Sequence, residues 1–558
     1  MRQTLFILAG LLLGPAALLF ATSTKAPTAP GERVFLQTSE QVIGAGETLW
    51  LQATLYGDAP RSTVLYAEVL NRSGAVVQGI FLIEDGVGEG QLSLPDTLSG
   101  GWYQVRAYTQ WMRNEGPATF ATQPLLVVNP YEDELRASGQ GTTRQVGGAP
   151  TKEAVQIKLN KTYYQPREPV VVRWQLTDTQ QSARVAVRVR KVSAVELNQR
   201  PILPIGEQDQ VDSPRFARED DGLTLSGTVT GMDASTTDRT VILSIPGADP
   251  YFEYDFVDQQ NRFEIPINRR RQGQQEVVLQ TADTTLSTRW SIDEKFAPEN
   301  TYAQEIFPEV SAAVRAELLA AYTQRSRINA QYDLFRPVDS TVARNREEFR
   351  FYGAPNFTVR ADDYVALPNF VEVSRELMPG VRLRDRQGIY HFDVFDIPTR
   401  AFLEGEPAVF MDGVLIKDVN YLVNFSPREI ERIETVNRRT YYGEYRFDGV
   451  IAVYTRLLDA YGPALPPTAR QEQVTLYTAP QEFAPSDSLA PYEPDFRRLL
   501  HWQPSVELAG GAQEITVANA DELGAFEVTV EGVTDRGKWI YGRATYTVAV
   551  GGSANAKE

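Results

Sequence analysis

Glu406-Pro407-Ala408-Val409-Phe410-Met411-Asp412-Gly413-Val414-Leu415-Ile416 is the stretch that decides how the second half of this 558-residue chain is read. Apolar Val409 and Phe410 lead into Asp412-Gly413, and Val414, Leu415 and Ile416 lead out. Asp and Gly tolerate the left-handed backbone of a two-residue turn, so the spacing predicts a tight hairpin. Downstream, Ser426 is placed to cap a short helix with Pro427 at its first position, and Glu429 to complete a capping box. Ile433, Val436, Val450, Ile451 and Val453 supply β-branched strand material, and residues 449–455 read as a strand. Hairpin, capped helix and closing strand make a small α+β unit.

Taken with Ser426-Pro427-Arg428-Glu429-Ile430-Glu431-Arg432-Ile433-Glu434, Tyr442-Gly443 and Gly449-Val450-Ile451-Ala452-Val453-Tyr454-Thr455, the stretch resembles the plug domain of TonB-dependent outer-membrane receptors. Tyr352-Gly353, Asp362-Asp363-Tyr364 and Leu367-Pro368 extend the resemblance over residues 350–456. It implies one TonB-plug-like α+β domain. A receptor barrel of roughly 22 strands, each of about 10 residues, needs more than about 200 residues of wall. Residues 456–558 do not supply them, so a plug-like module without a pore is expected, and contact with TonB is not.

Composition limits the function classes. With 42% hydrophobic and 10% aromatic residues the chain can bury several cores, and its length suggests about four or five units. A formal charge of −17 argues against nucleic acid and against adsorption on an acidic leaflet. Cysteine is absent, which removes disulfides, thiolate metal sites and Cys nucleophiles. His391 and His501 are the only imidazoles, and no cofactor or metal is expected.

The amino end reads as an export signal. Arg2 gives a minimal positive region, residues 5–20 are apolar, and Ala21-Thr22-Ser23 offers small residues for cleavage, so residues 1–23 are expected to be a signal peptide. An uncleaved anchor is the alternative. No later segment reads as a membrane-spanning helix, and without a Cys after the apolar run a lipoprotein anchor is impossible. The expected location is outside the cytoplasm, in the periplasm or associated with the outer membrane.

Residues 31–130 show short β-rich runs broken by Gly44-Ala45-Gly46, Asn71-Arg72-Ser73-Gly74 and Pro95-Asp96, the pattern of a β-sandwich. Laying residues 34–53 over 155–174 puts Leu36 on Ile157, Glu47 on Glu168, Leu49 on Val170 and Leu51 on Val172. A domain-sized offset implies a second copy, part of it within 150–200, which later strands could complete. Gly46-Glu47-Thr48-Leu49-Trp50, Gly101-Trp102-Tyr103-Gln104-Val105-Arg106-Ala107-Tyr108-Thr109 and Arg167-Glu168-Pro169-Val170-Val171-Val172 resemble the macroglobulin-type sandwich domains of α-2-macroglobulins. The thioester chemistry of that family does not follow, because Gly206-Glu207-Gln208 is preceded by Ile205 and the chain has no Cys.

Residues 222–295 read as a small, regulatory-like β-sandwich, 305–335 as a helical segment and 470–550 as a C-terminal β-sandwich. Within the helix, which is read from Pro308, Val310, Val314, Leu318 and Tyr322 share one face, as in a strut packed on the β domains. The architecture as a whole resembles large macroglobulin-plus-plug proteins of the Bacteroidota cell envelope.

Catalytic constellations are sought without success. There is no Gly-x-Ser-x-Gly elbow, and residues 86–90 read as a hairpin loop rather than a phosphate cradle. His391-Phe392-Asp393 would set an imidazole beside a carboxylate on one strand face, but no nucleophile matches them. The binding candidates are Trp111, Arg113 and Asn114, which combine interface-type side chains, and Asp412 and Gly413 at the hairpin turn. The expected protein is mainly β and multidomain, with tandem macroglobulin- or immunoglobulin-like sandwiches around one plug-like domain. Its expected role is a non-enzymatic adaptor or scaffold that docks on outer-membrane or secretion-system proteins. The alternatives are a receptor component for peptide or glycan, or an envelope hydrolase.

Overall fold

The computed structural model describes residues 31–57, 61–137, 154–178, 182–192, 195, 214–232, 236–304, 307–332, 350–483, 493–509, 511–534 and 538–550. The proposed signal peptide and most of the polar stretch 196–221 lie outside them. The described chain is mainly β, built from many sheets in several units.

The first unit has eight strands, Glu32–Thr38, Val42–Gly44, Thr48–Gly57, Val64–Asn71, Gly74–Glu84, Val87–Ser93, Gly101–Tyr108 and Ala121–Val128. Their spatial order is first, third, sixth, fifth, fourth, seventh, eighth, second. Alternating side chains such as Leu49, Leu51, Val105 and Val127 are wholly buried in its core. Asp85 and Gly86, both left-handed, turn the chain between the fifth and sixth strands.

A second unit repeats this plan. Its strands are Val155–Leu159, Tyr163–Tyr164, Pro169–Leu176 and Ser182–Lys191, followed by Leu499–Ala509, Gln513–Ala518, Gly524–Thr534 and Trp539–Val548. Counted in chain order, the first, third and sixth form one sheet, and the fifth, fourth, seventh, eighth and second form the other. Every neighbour relation of the first unit reappears, except that there the long fifth strand joins the two halves. In both units the short second strand runs parallel to the eighth.

The aligned turns also match. Gly46 is left-handed at φ 84° and Arg167 at φ 61°, and each precedes a Glu that folds back on the amide three residues earlier. Glu47 accepts from Gly44 N at 2.9 Å, and Glu168 from Gln165 N at 2.8 Å.

The expectation of a separate C-terminal sandwich over 470–550 is corrected by this pairing. Strands 499–548 complete the unit begun at Val155, because the cores of both halves are one cluster in which Trp174 and Val187 pack with Phe526 and Val530. Strand Arg470–Thr475 belongs elsewhere, at the end of the sheet Tyr251–Phe256, Thr240–Ile245, Gln274–Thr281. With the facing sheet Arg262–Pro266, Thr224–Thr230, Arg289–Ile292 it forms the unit read over 222–295, whose core is continuous with that of the first unit.

The helix runs over Ala312–Tyr332, so Pro308 precedes it by a turn instead of opening it. Leu318 and Tyr322, with Val310, pack on Val42, Trp102 and Leu126 of the first unit, and the Tyr322 hydroxyl donates to the Val42 carbonyl at 2.8 Å. It packs on the first unit.

Residues 350–456 hold a five-stranded sheet in the order Phe357–Arg360, Ile430–Tyr442, Tyr445–Thr455, Ala408–Met411, Val414–Ile416, with helices Phe370–Leu377 and Val419–Asn424. The hairpin forms as expected, with Val409 opposite Ile416 and both Asp412 (φ 52°) and Gly413 (φ 88°) left-handed. The helix predicted at Ser426 does not form. Pro427–Glu429 is a single 3-10 turn and Ser426 makes no side-chain cap, because the strand from Ile430 takes over at once. The helix lies earlier, at Val419–Asn424, capped by Asp418.

Candidate functional site

A concentrated patch of buried polarity lies where the first unit meets residues 293–301. Strands Val64–Asn71 and Gly101–Tyr108 are antiparallel, with Glu68 opposite Arg106 and Tyr66 opposite Tyr108, so all four side chains project from one face. Glu68 and Arg106 pair at 2.6 Å, each side chain 1% exposed. The Tyr108 hydroxyl and Gln78 Nε2 also donate to the Glu68 carboxylate, at 2.9 and 2.7 Å. The remaining guanidinium hydrogens of Arg106 donate to the carbonyls of Ala297, at 2.6 Å, and Glu299. Ala297 N in turn donates to the Tyr108 oxygen at 2.7 Å.

A second set sits beside it. The Tyr66 hydroxyl donates to Glu219 at 2.9 Å, and Lys295 lies 3.8 Å from the same carboxylate while donating to the Thr224 carbonyl. Burial pushes the Glu219 carboxyl up and the Lys295 ammonium down, and it drives both tyrosines well above their ordinary range. Gln110 and Arg113 donate to the Lys295 carbonyl at 2.6 and 3.2 Å, and Arg113 also to that of Glu294 at 3.0 Å. These donors converge on the backbone of residues 294–299, which they clamp to the first unit.

A cavity lies on each side of Glu294-Lys295-Phe296. One, of about 370 Å³, has polar walls from Glu68, Gln78, Arg106 and Asn300. The other, of about 390 Å³, sets Leu223, Leu225, Trp290 and Ile292 against Arg470 and Glu472. Among the described residues no group of His, Asp and Glu is gathered to hold a metal ion.

Trp111, Arg113 and Asn114 share a 3-10 turn after strand Gly101–Tyr108. Arg218 lies 4.2 Å over the Trp111 ring and Arg113 lies 3.9 Å over Phe216. Asn114 Oδ1 accepts from the amides of Arg215 and Phe216 at 2.8 and 2.9 Å. This trio fastens residues 215–218 to the first unit. Asp412 and Gly413 lie in a different unit. The Asp412 carboxylate, fully buried, accepts from Thr455 N at 2.7 Å, the Thr455 hydroxyl at 2.8 Å and Ala460 N at 2.9 Å, while burial raises its pKa. Gly413 abuts Pro250, so closely that a Cβ there would stand 2.1 Å from the Pro250 ring.

The imidazole readings resolve into pairings of their own. His391 Nδ1 meets Glu406 at 2.7 Å, whereas Asp393 pairs with Arg384 across the strands, so the anticipated His391–Asp393 contact is replaced. His501 stands 3.4 Å from Gln503, and burial lowers its pKa.

Sequence reading missed Glu68, Arg106 and Lys295, and it took Glu219 for solvated charge where the structure buries it. Its available signal was a lone charge at the centre of an apolar strand, as in Val64-Leu65-Tyr66-Ala67-Glu68-Val69-Leu70 and Val105-Arg106-Ala107. Such a charge is kept inside only when paired.

No family model matches the chain, and no curated protein matches it. Among solved structures, trypsin-activated α-2-macroglobulin from Escherichia coli overlaps 93% of this chain and 42% of its own at 9% identity and TM-score 0.23. A Salmonella α-2-macroglobulin mutant overlaps 96% and 41% at 9% identity and TM-score 0.23. The Yersinia pseudotuberculosis adhesin InvE overlaps 46% and 57% at 9% identity and TM-score 0.13. The chain thus spans about two fifths of the macroglobulins' length, and superpositions this loose identify neither fold nor activity. They give no support to the plug resemblance.

Proposed function

We propose that this chain is a non-enzymatic, exported cell-envelope scaffold that holds macroglobulin-like and plug-like units in a fixed arrangement for docking on outer-membrane or secretion-system proteins. The observation that carries the reading is the Glu68–Arg106 clamp on the carbonyls of Ala297 and Glu299. A buried ion pair whose remaining hydrogens grip another segment's backbone fixes geometry, and breaking it is costly. This polar constellation is therefore occupied in joining units. Arg33–Glu115 within the first unit and Arg350–Glu434 within residues 350–456, each 2.7 Å apart with at least one well-buried partner, hold their own units together.

Aromatic packing supports the same reading at the plug-like unit. Phe252 of the 222–295 unit stacks on Phe351 with centroids 5.0 Å apart and meets Phe410 and Phe447 edge-on. The test is affinity purification from crosslinked envelopes with the mature protein as bait. Reproducible recovery of an outer-membrane or secretion component is expected. Recovery of no envelope protein would overturn the docking role.

A further inference from the structure

The 222–295 unit has an open side. Its two sheets end in strands Arg289–Ile292 and Arg470–Thr475, each bonded, among the described residues, to a neighbour on one flank only. The outer flank of such a strand presents backbone groups without a ladder partner. Trp290 is paired with Val229 and Ile292 with Gly227, and Val229 is wholly buried, so Trp290 and Ile292 turn inward. On the other strand Glu472 is paired with Val277 and Arg470 with Leu279, whose side chains join the core shared with Leu223 and Leu225, so this partly exposed ion pair lies on the cavity side of its sheet.

Between the two end strands lies the cavity of about 390 Å³, floored by Leu223, Leu225 and Ile267. Trp290 Nε1 reaches across to the Thr468 carbonyl at 2.8 Å and closes one end. The charges around it mostly cancel. Arg470 holds Glu472, Arg262 holds Asp293 at 2.7 Å, and Lys295 faces Glu219. Glu294 at the rim is exposed and, among the described residues, has no cation within ion-pair distance.

We propose that this groove binds an extended peptide segment. The segment pairs with the outer edge of strand 470–475, lays an apolar side chain between Trp290 and Ile292, and presents a basic side chain to Glu294. Three features select this ligand class. Open strand edges are satisfied by another extended backbone, and alternation along that backbone sends every second side chain into the groove. The floor is apolar and of a size for one or two side chains. At the rim, Glu294 is exposed and has no ion-pair partner among the described residues. An acyl chain would fill the floor but leave both strand edges and Glu294 without partners.

The inference does not depend on the scaffold role. It is read with purified full-length protein and a synthetic peptide, so it and the envelope-docking reading can fail separately. The probe is a short blocked peptide of alternating valine and lysine, fluorescein-labelled and followed by anisotropy at low salt. Saturable binding is expected. Ile292→Trp, which fills the groove, should weaken it by about tenfold or more, and Glu294→Gln by about threefold to tenfold, corresponding to roughly 0.7–1.4 kcal/mol. A valine–glutamate peptide should not bind. Both variants should keep the wild-type melting temperature; if Ile292→Trp does not, Glu294→Gln, altered only at an exposed side chain, decides. Absence of saturable binding to folded wild-type protein, equal binding of the two peptides, or binding indifferent to both substitutions would overturn the proposal.

Discussion

The backbone amide of Lys191 donates to the carbonyl of Arg498 at 2.7 Å, although the whole inserted segment lies between them in sequence. Lys191 ends the fourth strand of the second unit, and Arg498 immediately precedes the fifth. In the first unit the same junction is the short turn Asn71–Gly74, braced by Asn71 Oδ1 on the Ser73 amide at 2.7 Å. The 222–295 unit, the helix and the 350–456 unit are thus inserted into a hairpin, and both ends of the insert leave from one point.

Excising the insert should therefore leave a foldable protein. Residues 154–192 joined through an Asn-Gly turn to residues 497–550 are expected to melt cooperatively and to give a β-type circular dichroism spectrum. Residues 154–192 alone should not, since the core they share with Phe526, Val528 and Val530 would be missing. An excised protein without a cooperative transition would refute the insertion.

Replacing Glu68 with Ala strands the Arg106 guanidinium in the interior. The expected loss is about 3–5 kcal/mol in urea denaturation, the range for breaking a buried pair from one side. The double change Glu68→Leu with Arg106→Leu should cost less than the sum of the single changes, because no charge is left uncompensated. A loss below about 1 kcal/mol for Glu68→Ala would mean that the pair is not desolvated.

Gly413→Ala meets two penalties, a left-handed backbone worth about 1–2 kcal/mol and a Cβ 2.1 Å from the Pro250 ring. The contact between the hairpin and the 222–295 unit should loosen first. Its reporter is the Gly247 amide, which donates to the Asp412 carbonyl at 3.0 Å. Hydrogen exchange at Gly247 should accelerate in the variant, and unchanged protection would contradict the contact.

Arg167 binds Asp521 in a two-pronged fashion, at 2.8 and 2.7 Å, and these hydrogen bonds hold the Asp521 carboxyl below its ordinary pKa of 3.8. A depressed acid stabilises the fold fully above its unfolded pKa and loses that contribution as pH falls through the folded one. Both side chains are about a third exposed, so the effect is small. Arg167→Met should flatten the decline of melting temperature with pH below 3.8, and an unaltered slope would show that the pair contributes nothing there.

Local signals were readable and long-range ones were not. The Asp412-Gly413 turn and the Leu318–Tyr322 face depend on residues a few positions apart, and both appear where the pattern puts them. The repeat of Glu47 at Glu168 is visible because one turn encodes it, a left-handed residue followed by a Glu that caps its own loop. The rest of the copy is hidden, since the strands that pair with Ser182–Lys191 begin at Leu499 and Gly524 and nothing in either stretch names its partner. Ser426 failed as a cap for a local reason: the β-rich run from Ile430 left no room for a helix after Pro427. Of the site, Trp111, Arg113 and Asn114 were singled out as interface-type side chains, and residues 215–218 of the same chain take them up. Glu68 and Arg106 were not, because pairing across strands separates them by nearly forty positions.

A ribosome delivers the chain amino end first, so the four strands from Val155 to Lys191 are made long before Leu499 to Val548 exist. Until Leu499 to Val548 emerge, the nascent protein carries Val170, Val172 and Trp174 as an unroofed half, and those later strands close it. The late strands thus serve as a checkpoint on the early ones: a product cut short before Leu499 carries its weakness far upstream, at Val155 to Lys191, where a protease would find it.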